Sequence, residues 1–256
     1  MSTDRKTEVI LGLPVDQLSY EEILSDLPIY KTAGKQMRLT SVNPQILLHA
    51  SKYPEVCEYV KKSTHRLPDG IGVVLVSKLT NGTITDRITG YDLMLQLLTY
   101  ADRHHNRIFL YGAHPDVLKK TVEQISRDYP HIEIVGHIDG YHEAGEAEVV
   151  EQINLAHPDF LFVALGFPKQ ELFLSRNWEK LTVAVIEDVG GSFDVIGGAV
   201  KRAPDFFIKS HLEWAYRSFS SPKRFKRAFE LPVFLVKALW VHYFRFLKDK
   251  GARDSE

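Results

Sequence analysis

Residues 107–120, RIFLYGAHPDVLKK, decide the fold class. Arg107–Tyr111 is a short apolar run of the kind that forms a strand buried on both faces. Gly112-Ala113-His114 leaves room only for a tight loop, and Pro115 stands where the first residue of a helix tolerates a missing N–H. The helical pattern runs to about Tyr129 and Ile132–Val135 is the next apolar run, which completes a β-loop-α-β unit. Downstream the order recurs: a helix over Glu146–Ala156, a strand over Phe160–Leu165, the loop Gly166-Phe167-Pro168, and a helix from Lys169. A strand over Val183–Glu187 then ends at Val189-Gly190-Gly191-Ser192.

Upstream, Met37–Val42 reads as a strand, and Asn43-Pro44 opens a helix through about Tyr53. Ser63–Leu67 is a weaker strand candidate, Pro68-Asp69-Gly70 carries turn chemistry, and Ile71–Leu79 is an apolar, helix-like run. Asn81-Gly82 makes a turn before a helix over Tyr91–Arg103. Repeated β-loop-α order predicts an α/β fold, a Rossmann-like parallel sheet with helices on both faces. Ligands of such sheets bind beyond the carboxyl ends of the strands.

The chain has 256 residues, 44% of them hydrophobic and 25% charged, enough for a substantial core. This length fits one large α/β domain or one domain with an appendage. We place the Rossmann-like domain at residues 1–200 and a basic, helical C-terminal appendage at 201–256. From Lys201 onward there are 13 Lys and Arg against 6 Asp and Glu, a net of +7, and the remainder carries 19 against 27, a net of −8. A basic tail on an acidic body predicts that the tail meets an anion. Over Val233–Lys250 a helical projection gathers Leu235, Leu239, Trp240, Tyr243, Phe246 and Leu247 on one side, and Lys237, His242, Arg245 and Lys248 on the other. Phe234 and Val241 intrude on the basic side. This pattern suits the headgroup layer of an anionic membrane surface. An acidic body and a tail rich in Leu, Trp and Phe fit lipid better than nucleic acid. The N-terminal stretch MSTDRKTEVI lacks an apolar signal region, and no run of about 18 apolar residues occurs. The expected location is therefore cytoplasmic. The single cysteine, Cys57, allows no internal disulfide and reads as a lone buried thiol.

The loops at Asn43, Asp69, Gly112 and Gly166 are expected to open on one rim of the sheet, where helix N-termini present N–H groups suited to a diphosphate. No G-x-G-x-x-G follows a strand and no G-x-x-x-x-G-K-[ST] occurs, which argues against dinucleotide oxidoreductases and P-loop NTPases. The eleven histidines do not cluster, and H-E-x-x-H, C-x-x-C and Asp-x-Asp patterns are missing, so neither a metal nor a cofactor is expected. Asp69 carries two readings, an N-cap for the following helix or a general base on the rim. Gln170 is placed to hydrogen-bond a sugar or phosphate, Glu171 to favour the positive end of its helix, and Asp194 to sit in a turn.

Seven segments in order, TSVNPQI, LPDGIGVV, RITGYDL, FLYGAHPDVLKK, PDFLFVALGFPKQE, VGGSFDVIGGAVKRAP and LEWAYRSFSSPKRFKR, resemble the WecG/TagA/CpsF family, glycosyltransferase family 26. LPDGIGVV followed by SKLTNG and RITGYD looks most like its teichoic-acid branch. The resemblance implies an inverting, metal-independent transfer of N-acetylmannosamine from UDP-ManNAc to undecaprenyl-diphosphate-linked GlcNAc. It also implies a peripheral place on the inner face of the plasma membrane and self-association into a homo-oligomer. Related branches use a UDP-ManNAc uronate or another UDP-hexose. By matching position Asp69 is the implied base, Ser41, Asn43, Arg87 and Gln170 are pocket residues, and Arg217, Arg224 and Arg227 of the appendage complete the diphosphate site. Where the family often has threonine this chain has Ser41, which keeps the hydroxyl. A non-catalytic module that binds a nucleotide sugar or lipid is the alternative from another class.

Overall fold

The computed structural model describes residues 5–204, 206–207 and 229–253, the last with side chains up to residue 244. The chain opens with an antiparallel hairpin, β1 (Thr7–Ile10) and β2 (Leu13–Asp16), followed by helix α1 (Tyr20–Thr32). Next come β3 (Met37–Val42), α2 (Pro44–His49), α3 (Pro54–Lys62), β4 (His65–Pro68), α4 (Ile71–Leu79) and α5 (Gly90–Arg103). The two β-loop-α units follow as β5 (Arg107–Gly112), α6 (Pro115–Asp128), β6 (Glu133–Ile138), α7 (Glu146–Ala156), β7 (Phe160–Ala164) and α8 (Lys169–Asn177). Last are β8 (Val185–Asp188), α9 (Ser192–Ile196) and α10 (Glu230–Arg253). β3 to β8 form one six-stranded parallel sheet in the order β4-β3-β8-β7-β5-β6. The expected α/β architecture is therefore present. The interior strands β3, β7 and β8 are buried along their whole length, whereas the edge strand β6 is partly exposed, as its position demands.

Alternate side chains of the strands feed two cores. Met37, Leu39, Leu110 and Phe162 pack with Ile23, Leu97, Leu118 and Phe193 of α1, α5, α6 and α9. Phe109, Leu161, Val163 and Ile186 pack with Tyr59, Ile153 and Phe173 of α3, α7 and α8. Period-two alternation in strands covered on both sides produces this division. A third cluster joins the hairpin to α2, α4 and α10, with Val15, Ile46, Val73 and the fully buried Phe234 at its centre.

Several boundaries differ from the sequence expectation. The helix opened by Asn43-Pro44 stops at His49, and a 3₁₀ turn over Ala50–Lys52 leads to the separate helix α3. Pro54 forces this break, because the residue before a proline avoids helical backbone. The strand expected over Ser63–Leu67 begins at His65, since Ser63 closes α3 by donating its hydroxyl to the Tyr59 carbonyl at 2.8 Å. β8 extends through Asp188, so an adjacent acid pair, Glu187-Asp188, lies inside the sheet.

The basic-side intruder of the C-terminal helix has a structural cause. Phe234 and Ala238 form the buried face of α10 against α2 and α4. The contact is close: a Cβ at Gly72 of α4 would come within 2.5 Å of Leu231 Cδ1. Trp240 and Tyr243 are instead exposed, while the side chains of Arg245, Phe246, Leu247 and Lys248 lie outside the described residues. Among the described residues no helix is long and apolar enough to cross a membrane.

The sheet edge at β4 is tied to the N-terminal segment through a buried polar knot. Arg5 pairs with Asp26 at 2.7 Å, and His65 Nε2 lies 3.1 Å from the same carboxylate oxygen. Burial, with the Arg5 charge second, pulls the His65 imidazole down to about 4. The unfolded chain therefore takes up a proton below about pH 6.5 that the folded chain refuses, and stability is lost as pH falls from there toward 4. We expect the stability advantage of wild type over His65→Gln, from denaturant titrations, to shrink by about 2 kcal/mol between pH 7 and 5. A constant gap across that range contradicts a neutral, buried His65.

Candidate active site

All six strands of the sheet point the same way, so the loops after β3, β4, β5, β7 and β8 converge on one edge. They enclose a cavity of about 600 Å³. The start of α10 contributes Glu230 and Leu231 to its wall. Arg202 reaches the same rim, pairing with Asp92 and stacking over Tyr91 with its guanidinium carbon 4.7 Å from the ring centre.

Five of the expected site residues, Ser41, Asn43, Asp69, Arg87 and Gln170, line this cavity, as do Glu171 and Asp194, the latter in the helix α9 rather than in a turn. Ser41 is the penultimate residue of β3, and its backbone N–H donates to Asp188 Oδ1 at 3.0 Å. Asn43 caps α2, its Oδ1 accepting from the Ile46 N–H at 3.0 Å, which leaves the carboxamide NH₂ as its remaining donor. Asp69 is half-buried and follows β4 directly, with its N–H shared between the Val42 and Leu67 carbonyls. It is not the helix cap: Gly70 occupies that position, at φ 93°, a conformation that favours glycine. The turn at Gly70 therefore starts α4 one residue late and leaves Asp69 in the rim loop. Arg217, Arg224 and Arg227 lie outside the described residues.

Gln170 is more committed than the sequence implies. Its Oε1 accepts from Gly166 N at 3.2 Å and from Gly190 N at 3.1 Å, and its Nε2 donates to Glu171 Oε1 at 2.9 Å. One buried carboxamide thus braces the loops after β7 and β8. Its outward chemistry reduces to one remaining N–H.

The acidic floor of the cavity was not anticipated. Glu171, expected to favour the positive end of its helix, is fully buried, as are Glu187 and Asp188 at the end of β8. Glu171 Oε2, Asp188 Oδ2 and both Glu187 oxygens find no hydrogen-bond partner among the described residues. Burial pushes Glu171 up to about 7 and raises Asp188 well above the usual carboxylate range, with the Glu171 charge adding to the latter. Glu187 is raised likewise, by burial first and then by the charge of Asp188. The available signal was two consecutive acids closing an apolar strand, where a buried parallel strand ordinarily has none. His114 and Tyr141, which also line the cavity, meet edge to face at 5.4 Å, with Tyr141 72% exposed. The two rings give this part of the lining an aromatic edge. The cavity thus combines an aromatic edge, helix N-termini, an arginine and a carboxylate on an open rim. A ligand with a planar base, a phosphate and a hydroxyl-rich part matches those features.

Comparison with known proteins points the same way. The sequence profile of the glycosyl transferase WecG/TagA/CpsF family matches residues 8–247. An N-acetylglucosaminyldiphosphoundecaprenol N-acetyl-beta-D-mannosaminyltransferase of Bacillus spizizenii is 40% identical over 232 residues, 88% of this chain and 90% of the relative. The Bacillus subtilis protein of that name is 44% identical over 201 residues, 78% of each chain, and the Staphylococcus aureus (strain MW2) protein is 31% identical over 230 residues, 89% and 90%. With the profile spanning nearly the whole chain and all three relatives above 30% identity, this chain belongs to the glycosyl transferase WecG/TagA/CpsF family.

Proposed function

We propose that this protein is an inverting N-acetylmannosaminyltransferase that moves the sugar from UDP-ManNAc to undecaprenyl-diphosphate-linked GlcNAc, in assembly of the teichoic-acid linkage unit. The names of its relatives support the donor sugar and the acceptor. One structural observation carries the chemistry: Asp69 sits on the open rim, outside the cap of α4 and beside the cavity. Inversion requires a base on the face of the sugar opposite the leaving diphosphate. Asp69 takes the proton of the acceptor hydroxyl as that oxygen attacks the anomeric carbon and UDP departs. Arg87 and the N–H groups at the helix starts stabilise the charge growing on UDP, and Arg217, Arg224 and Arg227 join them in this reading. Uracil lies against the His114–Tyr141 edge. Asn43 and Ser41 orient the sugar hydroxyls.

The lipid-linked acceptor brings the protein to the inner face of the membrane, with the segment from residue 201 as the part that meets it. Val233, Val236, Trp240 and Tyr243 support this reading, because they follow one another at helical spacing along α10 and all are more than half exposed. Self-association remains part of the proposal, drawn from the family resemblance.

Incubation with a panel of UDP-sugars and a polyprenyl-diphosphate-GlcNAc analogue, scored by product mass, tests the donor and acceptor. UDP-ManNAc is expected to give the one product with transferred N-acetylhexosamine. Asp69→Asn is expected to lower turnover by about 10²- to 10⁴-fold with the fold intact by circular dichroism; near-wild-type turnover removes Asp69 from the mechanism. For the membrane, Val236→Glu with Trp240→Glu is expected to cut flotation with anionic liposomes by about fivefold or more. Unchanged flotation rejects α10 as the contact.

A further inference from the structure

Glu171 and Asp188 are carboxyls that the transfer itself does not use. They come from α8 and β8, both contribute to the cavity wall, and their charges act on each other. Each has one bonded oxygen, Glu171 Oε1 to Gln170 and Asp188 Oδ1 to the Ser41 N–H, and one oxygen without a partner among the described residues. The groups facing the pair are Tyr59 from α3, Thr40 from β3, Asp69 from the loop after β4, and Glu187 on β8 itself, with Arg38 acting on Tyr59. Arg38 is engaged elsewhere: it donates to the Lys62 carbonyl at 2.6 Å and to Gln36 at 3.3 Å, and stacks 3.9 Å over Trp178. The Tyr59 hydroxyl is held protonated by burial. Among the described residues, then, no cation pairs with either carboxyl.

The donor proposed above places a doubly negative diphosphate in the same cavity, and the inference rests on that reading. Two ionised carboxylates beneath a bound diphosphate, all poorly solvated and without a counter-charge at the floor, repel strongly. We infer that the UDP-sugar binds together with a proton held by Glu171 and Asp188, so that the cavity floor is a hydrogen-bonding carboxylic acid pair when the anionic donor is present. A protonated carboxyl donates one hydrogen bond and accepts others, which suits the hydroxyl and amide groups of an uncharged sugar. Burial holds Glu171 near 7 in the free protein. Above that pH the Glu171 carboxyl of the free protein is ionised, and where binding restores its proton the affinity falls as pH rises.

The test is calorimetric binding of UDP-ManNAc to the full chain from pH 6 to 8.5, in two buffers of different ionisation enthalpy. The diphosphate diester stays fully ionised over this range, so the ligand's phosphates contribute no titration. Expected is near-constant affinity below pH 7, then a weakening that approaches about tenfold per pH unit, with about one proton taken up per ligand at pH 8. The variant E171Q/D188N is expected to show less than about a twofold change across the range. The proton count and an infrared difference spectrum, gaining a protonated-carboxyl band on binding at pH 8, need no variant and stand if E171Q/D188N does not fold. Binding without proton uptake, or a slope that survives in E171Q/D188N, overturns the inference and leaves the donor reading intact. Absence of UDP-ManNAc binding at every pH overturns the donor reading itself.

Discussion

Parallel strands all end on the same side, and this directional constraint organises the molecule. Each strand of the central sheet delivers its following loop to one edge, and the helices that return begin there with their unpaired N–H groups facing the cavity. The site is therefore assembled from residues far apart in sequence, Asn43 beside Asp69, Arg87, Gln170 and Asp188. The burial of β3, β7 and β8 between two helix layers fixes those loops on a rigid base. Loop residues need such a base if a carboxylate is to be held within reach of a reacting hydroxyl.

The same edge concentrates unfavourable electrostatics. Three buried carboxyls with unpartnered oxygens stand at the end of one strand and the start of one helix, where apolar side chains pack more cheaply. Natural proteins tolerate such groups where binding or chemistry requires them. Gln170 holds the arrangement in place, joining the loops after β7 and β8 to Glu171 through one carboxamide. Substitution there is expected to loosen two loops at once, so its effects on activity mix positioning with direct contact.

Much of the sheet was legible because its strands are apolar runs punctuated by Gly and Pro, as at Gly112-Ala113-His114-Pro115, where both the strand and the helix appear as expected. α3 was not, because Pro54 both ends one helix and opens another, and a helical pattern alone does not separate these roles. α1 and the N-terminal hairpin are not legible in the sequence: α1 holds Pro28 in its interior, which masks its periodicity, and the hairpin strands have four residues each. Phe234 read as a flaw in an amphipathic helix because the sequence does not say which face meets α2 and α4. At the site, the rim positions were legible from motif order, and the structure adds what each side chain already does. Asn43 is a cap, Gln170 a brace, and Asp69 lies outside the cap position. The acid pair Glu187-Asp188 is visible in the sequence as a charged end to an apolar strand, but its neighbours on α8 and β3 are distant in the chain, so its burial is not.

The central claim is that Asp69 faces the reacting carbon of a nucleotide sugar bound at this rim. A crystal structure with an unreactive UDP-ManNAc analogue and a GlcNAc-diphosphate acceptor measures it most directly. The account predicts an Asp69 carboxylate oxygen about 2.6–3.2 Å from the acceptor hydroxyl, on the face of the sugar away from the diphosphate. A sugar bound with its diphosphate on the Asp69 side, or seated outside the cavity, contradicts it.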